Sequence, residues 1–402
     1  MSPCQFSFPG FGAALAQNLL RVEVVSSLEK LSPLAEDWNA LAARAPQKLP
    51  MLSHAWIASY LEHQLEPGEM WFCLFAFEGG KLVGVLPLLA SQHSLLWLSN
   101  LKLRTPYNVH TFGVEPLAER GYEDEVRRLF WEILDRLYPS GFLLECRRVP
   151  QSSPSLLARN GETEDTIVFL DVSGTGCFLK VAGSFEDYLA RIPARFKRNL
   201  RRLGRKVEDL GEVTAHFHTG DATRAEHLEA FMRVETSGWK GRVGTAIATD
   251  PRHTAFFRAL TRRLTELGWL EWHFLCVDGK EIATHLAVRM DRTLTLYKIA
   301  YDEAYSSCSP GNILFEKMIR HAFGSGLVDE INFLSDEPWM KNWGLSRRSY
   351  YDLQMHYKRP LPLFLPFMST KARWAYRWMK RQSLIPEAQG PAKRADVKDP
   401  VE

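Results

Sequence analysis

The stretch Tyr297 to Phe323, YKIAYDEAYSSCSPGNILFEKMIRHAF, decides the fold. It reads as a strand, a short loop and a helix. Thr293 to Ala300 alternates and is rich in strand formers. Ser309-Pro310-Gly311-Asn312 reads as a helix start. Serine is a capping residue, and proline suits the first helical position, where its missing N–H is not needed. Leu314, Met318 and Ala322 follow at spacings of four, with Phe315, Ile319 and Phe323 beside them, so one side of the helix is apolar. A helix opening at the mouth of a sheet points unpaired N–H groups at a diphosphate or carboxylate. Gly311 lets such a ligand approach the backbone. The plain alternative is a capped helix after an ordinary loop, because capping signals are common.

Working outward, the same order of elements occurs twice. WFCLFAFEGGKLVGVLPL from Trp71 aligns with WHFLCVDGKEIATHLAV from Trp272. RRLFWEILDRLYPSGFLLE, ending at Glu145, aligns with FEKMIRHAFGSGLVDE, ending at Glu330. Each pair reads as a hairpin, then a helix, a Ser-Gly turn and a buried strand. The expected fold class is therefore α/β, with two similar units built by duplication, each a mixed central sheet flanked by helices. Chance similarity of two α/β units is the alternative. The expected boundaries are an arm at 1–20, a first unit at 21–175, a second at 176–360 and a tail at 361–402. Gly174 and Gly176 mark the seam, and Ser53, Asp221 and Asp250 read as helix caps.

Composition narrows the class. At 402 residues, two domains, with three as the alternative, are expected, each large enough for its own core. Hydrophobic residues at 46% and charged residues at 24% fit a globular chain, and a net charge of +3 says little about partners. The cysteines form no C-x-x-C pair and no cluster with histidine. No zinc site or disulfide framework is read, and a reducing cytoplasm is expected. The first residues do not read as a signal peptide, and no window supplies the ~20 apolar residues of a membrane span.

Charge is concentrated locally. RIPARFKRNLRRLGRK, from Arg191 to Lys206, holds eight cations and no acid. Arg191, Arg195, Arg198 and Arg202 fall on one helical face, which repels itself unless an anion lies on it. A solvated basic helix is the alternative. In the tail, Lys371, Arg373, Arg377, Lys380 and Arg381 interleave with Trp374, Tyr376 and Trp378. Residues 361–381 thus suit a peripheral contact with an anionic membrane, or a helix docked on the body.

The order of these pieces resembles a known family. ARFKRNLRR from Ala194, Trp239-Lys240, the turn Asp278 to Ala283, Tyr301-Asp302 with Tyr305, Ser309 to Leu314, and Asn332 to Leu334 with Lys341 and Trp343 occur in sequence. Together they resemble the tandem GNAT acyltransferases of the CelD/BcsL type and, more distantly, the Fem-type aminoacyltransferases. The resemblance implies a cytoplasmic acyltransferase with acyl-CoA as co-substrate, no metal, and a small amine or amino-sugar acceptor, in polysaccharide or envelope synthesis. It ranks an aminoacyl-tRNA donor second. A scaffold that binds a polyanion without chemistry is the third reading. The Gly-rich pyrophosphate loop of single-domain GNAT enzymes is missing, and the Ser-Pro-Gly turn stands in its place.

Transfer to an amine needs a proton acceptor, oxyanion donors and a grip on the carrier. The resemblance makes Ser309, Gly311 and Asn312 donor-binding, with Arg195 and Arg198 on its phosphates. For the base, Asp302, His285 and Glu235 are candidates. Asp302 ranks first because it ends the central strand; its alternative is a capping role. His285 titrates near neutrality, or is a satisfied core histidine. Lys341 would offset negative charge and Tyr301 would donate a hydrogen bond. Trp239, Lys240, Tyr305 and Trp343 are the substrate-binding candidates. Cys308 is close enough in sequence to be tested as a nucleophile.

Overall fold

The hairpin read twice in the sequence is formed twice. A computed structural model describes residues 20–95, 98–157 and 166–357. The expected arm, apart from Leu20, and the tail lie outside these residues. The strands are β1 (Leu20–Val25), β2 (Met70–Glu78), β3 (Lys81–Leu95), β4 (Leu98–Arg104), β5 (Leu117–Ala118), β6 (Phe142–Pro150) and β7 (Thr166–Lys180). They continue as β8 (Val213–Thr219), β9 (Leu270–Val277), β10 (Lys280–Met290), β11 (Thr293–Tyr301), β12 (Glu330–Asn332) and β13 (Ser346–Tyr357).

Among the described residues these strands make one mixed sheet in the order β1-β2-β3-β4-β6-β13-β7-β12-β11-β10-β9-β8, with β5 attached to β3. The order reads alike from either end. In the first half β4 runs parallel to β6, and in the second β11 runs parallel to β12. The halves are joined by exchange. β13 is the last strand among the described residues but pairs with β6, while β7 pairs with β12. The two exchanged strands then pair with each other from Ser346 to Tyr357. The seam expected near residue 175 therefore falls inside a strand that runs from Thr166 to Lys180.

Helices cover both faces, so the hairpin strands are apolar on both sides. In β2, Cys73, Phe75 and Phe77 enter a core shared with Trp38, Trp56, Phe256 and Trp272. Phe72, Leu74 and Ala76 face a second core under helix Glu123–Leu137. The first of these cores takes residues from both halves, so each half stabilises the other. In helix Pro310–Ser325, Leu314, Phe315, Met318 and Ile319 are fully buried. Each such side chain contributes roughly 1.5–3 kcal/mol relative to exposure.

Two caps form as expected: Ser53 accepts from Trp56 N, and Asp250 accepts from Arg252 N ahead of Pro251. Asp221 does not cap. It lies in the turn Gly220–Ala222, and the helix Ala225–Ser237 begins with Arg224 N donating to His227 Nδ1 at 3.1 Å.

Candidate active site

The central strands part. β11 pairs with β12 only from Thr293 to Thr295, while its own run continues to Tyr301. β12 stops because the chain turns: Asn332 Oδ1 accepts from Leu334 N, and Leu334 adopts a left-handed conformation with φ 59°. On its other side β11 carries a bulge at Tyr297, between the pairs Ala287–Leu296 and Leu286–Lys298. An extra residue increases local twist and re-aims the side chains around it.

The loop after β11 turns the chain into the gap. Asp302 Oδ1 accepts from Ala304 N and caps the 3-10 turn Glu303–Cys308. Ser309 ends that turn in the left-handed region at φ 50° and gives no side-chain cap to the following helix, contrary to its expected role. Pro310 opens the helix as expected. Its first turn holds no acid. A cavity of about 220 Å³ lies here, lined by His285, Ile299, Tyr301, Ser309, Pro310, Gly311, Asn312 and Trp339 among others. It is smaller than the ~300–1,000 Å³ of sites that enclose a whole ligand, so it suits the reacting end of a donor.

Of the expected site residues, the structure brings His285, Tyr301, Ser309, Gly311 and Asn312 together in this cavity. His285 is 2% exposed, and its Nδ1 has no partner among the described residues. Burial, and then the charge of His273, hold its pKa well below the ordinary value, so the imidazole is neutral. Behind it His273 Nε2 lies 3.4 Å from Glu271, which also binds Arg289.

The other candidates are engaged elsewhere. Asp302 is not a lining residue: it caps a turn and pairs with Lys280 at 3.1 Å. Lys280 also lies over the ring of Tyr305, which packs on the core under Cys308. Trp343 is a core side chain, 0% exposed, stacked edge-on against Phe196 and Phe315. Its Nε1 donates to Asn312 Oδ1 at 3.4 Å, so it positions the cavity wall without reaching the ligand. Lys341 is exposed and does not line the cavity, whereas Trp339 does. Trp239 is half exposed. Lys240 pairs with buried Glu235 at 2.9 Å and donates to Ile299 O. Glu235 also accepts from Ile247 N, so both its oxygens are occupied. Cys308 is buried and donates to Tyr305 O, and burial raises its pKa, which keeps it a thiol.

The basic stretch is broken at Pro193: Arg191 ends the helix Phe185–Arg191, so it does not share the expected face, and the rest forms the helix Ala194–Glu208 with Leu200, Leu203 and Val207 buried. Arg195, Arg198, Arg201, Arg202, Arg205 and Lys206 are exposed. None of these six pairs with a carboxylate among the described residues. The Phe196–Trp343–Asn312 contacts set the first turn of this helix beside the cavity.

Sequence reasoning missed Trp339 and Ile299 as cavity walls. It also missed a cluster on the other side of β11, where Lys298 Nζ lies 3.1 Å from His110 Nδ1. Lys298 carried a signal, as a lone cation inside an otherwise uncharged strand. His110 sits in an irregular loop and carried none.

Residues 194–357 match the acetyltransferase (GNAT) domain family. The match begins with the basic helix and ends with β13, so the matched residues contain the parted strands and the cavity. No curated protein matches the sequence. Among solved structures, FemX superposes with a TM-score of 0.56 at 11% identity, over 85% of this chain and 99% of its own. A Bacteroides thetaiotaomicron protein of unknown function gives 0.50 at 12%, over 84% and 100%. The C-terminal domain of an Agrobacterium fabrum protein described as a lysylphosphatidylglycerol synthetase gives 0.51 at 11%, over 90% and 99%. At such identities the likeness is one of fold, and it takes in the first half as well as residues 194–357. Among the described residues no group of His, Cys, Asp or Glu is arranged to hold a metal, and no helix is long and apolar enough to cross a membrane.

Proposed function

We propose that the chain is an acyltransferase that moves an acyl group from an anionic carrier to an amine by direct attack. The observation that carries this reading is the cavity between the parted β11 and an acid-free helix start. The amine nitrogen bonds to the acyl carbon, the carbonyl oxygen takes the negative charge, and the carrier leaves as its thiolate or alkoxide. Beyond Thr295, the edge of β11 that β12 leaves unpaired offers backbone donors to that oxyanion. His285 is the group assigned to receive the amine proton, being neutral with a ring nitrogen available at the cavity wall. The Gly311 N–H, with the cations of the neighbouring basic helix, holds the carrier's phosphates, while Asn312 N is taken up by Ser309 O.

Acyl-CoA is the carrier assigned here, and a small amine or amino sugar the acceptor, as the CelD/BcsL resemblance of the sequence supports. Polysaccharide or envelope synthesis at the cytoplasmic face is the matching role. Thermal unfolding with acetyl-CoA and longer acyl-CoAs tests the carrier: a rise in melting temperature with at least one supports it, and no shift with any rejects it. His285→Gln tests the base: kcat should fall while donor affinity holds.

A second reading, transfer from aminoacyl-tRNA, is favoured by the unpaired cations of helix Ala194–Glu208. Co-purifying RNA, and affinity falling steeply with salt, would support it over acyl-CoA.

A further inference from the structure

We propose that the seam between the halves, on the side of β11 away from the cavity, is a site for an anionic group of the acceptor, a phosphate or carboxylate, held by Lys298 and His110. The word acceptor rests on the function proposed above; the anion site does not.

Ile299 and Tyr301 line the cavity, and Lys298 is turned to the opposite face of the strand. There it meets the loop of the first half that carries His110, 188 residues away in sequence. Lysine has only donors, so the imidazole Nδ1 at 3.1 Å must accept, and the ring proton sits on Nε2. That Nε2 is buried and has no acceptor among the described residues, and His110 itself is 4% exposed. Native structures rarely leave a buried donor unmet, because the desolvation is not repaid.

Lys298 is in a similar position. Its charge faces the rings of Phe257 and Tyr297 at 5.6 and 5.7 Å, and no carboxylate bonds it among the described residues. Glu235, the acid of this cluster, is already taken by Lys240 and by Ile247 N. Two ammonium groups therefore face one spent carboxylate. Burial and then Lys240 push Lys298 down to about 8, and burial and then Lys298 push His110 down to about 2. An oxyanion accepting from His110 Nε2 would favour the charged form of both groups and oppose both trends. The donors are held in advance: Tyr297 Oη donates to His110 O at 2.7 Å, and Trp56 Nε1 donates to Thr111 Oγ1 at 2.9 Å. Tyr107 and Val109, in the same loop as His110, are exposed.

The test uses the full chain with 15N-labelled histidine, His110 being assigned from the signal lost in His110→Gln. Inorganic phosphate, pyrophosphate and acetate are titrated to tens of millimolar. Saturable movement of the His110 ring signals is expected, weakened about tenfold or more in Lys298→Met and kept in Lys298→Arg. Phosphate against acetate separates the two anion classes. Gly311→Asp, which blocks the donor cavity, should leave this binding intact, so failure of the donor assignment and failure of the anion site read separately. Absence of saturable movement with all three anions, or equal affinity in a folded Lys298→Met, would overturn the proposal. If the methionine variant does not fold, the wild-type titration decides it.

Discussion

Helices Glu123–Leu137 and Pro310–Ser325 hold equivalent places in the two halves, and their first turns are opposites. The first begins Glu123-Asp124-Glu125, and Glu123 folds back to accept from Gly121 N at 2.7 Å. Its positive end is offset by three carboxylates of its own first turn, without a side-chain cap. The second begins Pro310-Gly311-Asn312 with no acid. The strands differ in the same sense. β4 ends at Arg104, where its pairing with β6 also ends, and Thr105 N continues the ladder by donating to Glu145 O. β11 leaves β12 at Thr295 and runs on. One architecture thus has an acidic helix start and a closed strand pair in the first half, and an acid-free helix start and a parted strand pair in the second. The first half serves instead as a wall, supplying the loop that carries His110.

The comparison can be broken most severely at Trp343, which has no exposure and ties Asn312 to the core of the second half. Trp343→Ala should destabilise by about 3–5 kcal/mol, read as a lower urea midpoint. Next, Gly311→Asp gives the second helix the acidic start of the first. A carboxylate at that position should oppose the donor's phosphates by about 2 kcal/mol, roughly 30-fold in donor affinity, with the fold kept. Calorimetric titration with acyl-CoA measures it.

Acid should weaken both halves alike. His54 in the first half is lowered to about 4 by burial and then by Arg263, and His285 in the second is well below its ordinary value through burial and then His273. For such groups the unfolded chain binds more protons once pH drops below about 6.5. Their contribution is complete above that value and is lost as pH falls toward the folded pKa. The loss approaches about 1.4 kcal/mol per pH unit for each histidine. Denaturant unfolding between about pH 7 and 5 should show it, with a shallower decline in His54→Gln and in His285→Gln alike. The smallest effect is expected at Glu125→Gln, which removes one acid from the closed helix start. It should cost about 0.5 kcal/mol in stability and leave donor binding unchanged.

The sequence by itself determined what neighbours along the chain decide. The strand-loop-helix unit at 297–323, the two hairpins and the Ser53 and Asp250 caps depend on periodicity and on side chains reaching a few residues, so they could be read locally. Ser309 was misread because the left-handed turn it adopts closes the preceding 3-10 segment, which capping patterns do not report. Long-range packing set the exchange of β7 and β13, the burial that keeps His285 neutral, and the engagement of Asp302 by Lys280. It alone joined His110 to Lys298 and seated Trp343 behind Asn312. These depend on which distant segments share a sheet or a core. A residue's charge state and availability follow from what is packed against it, and one chain's pattern of residues does not state that.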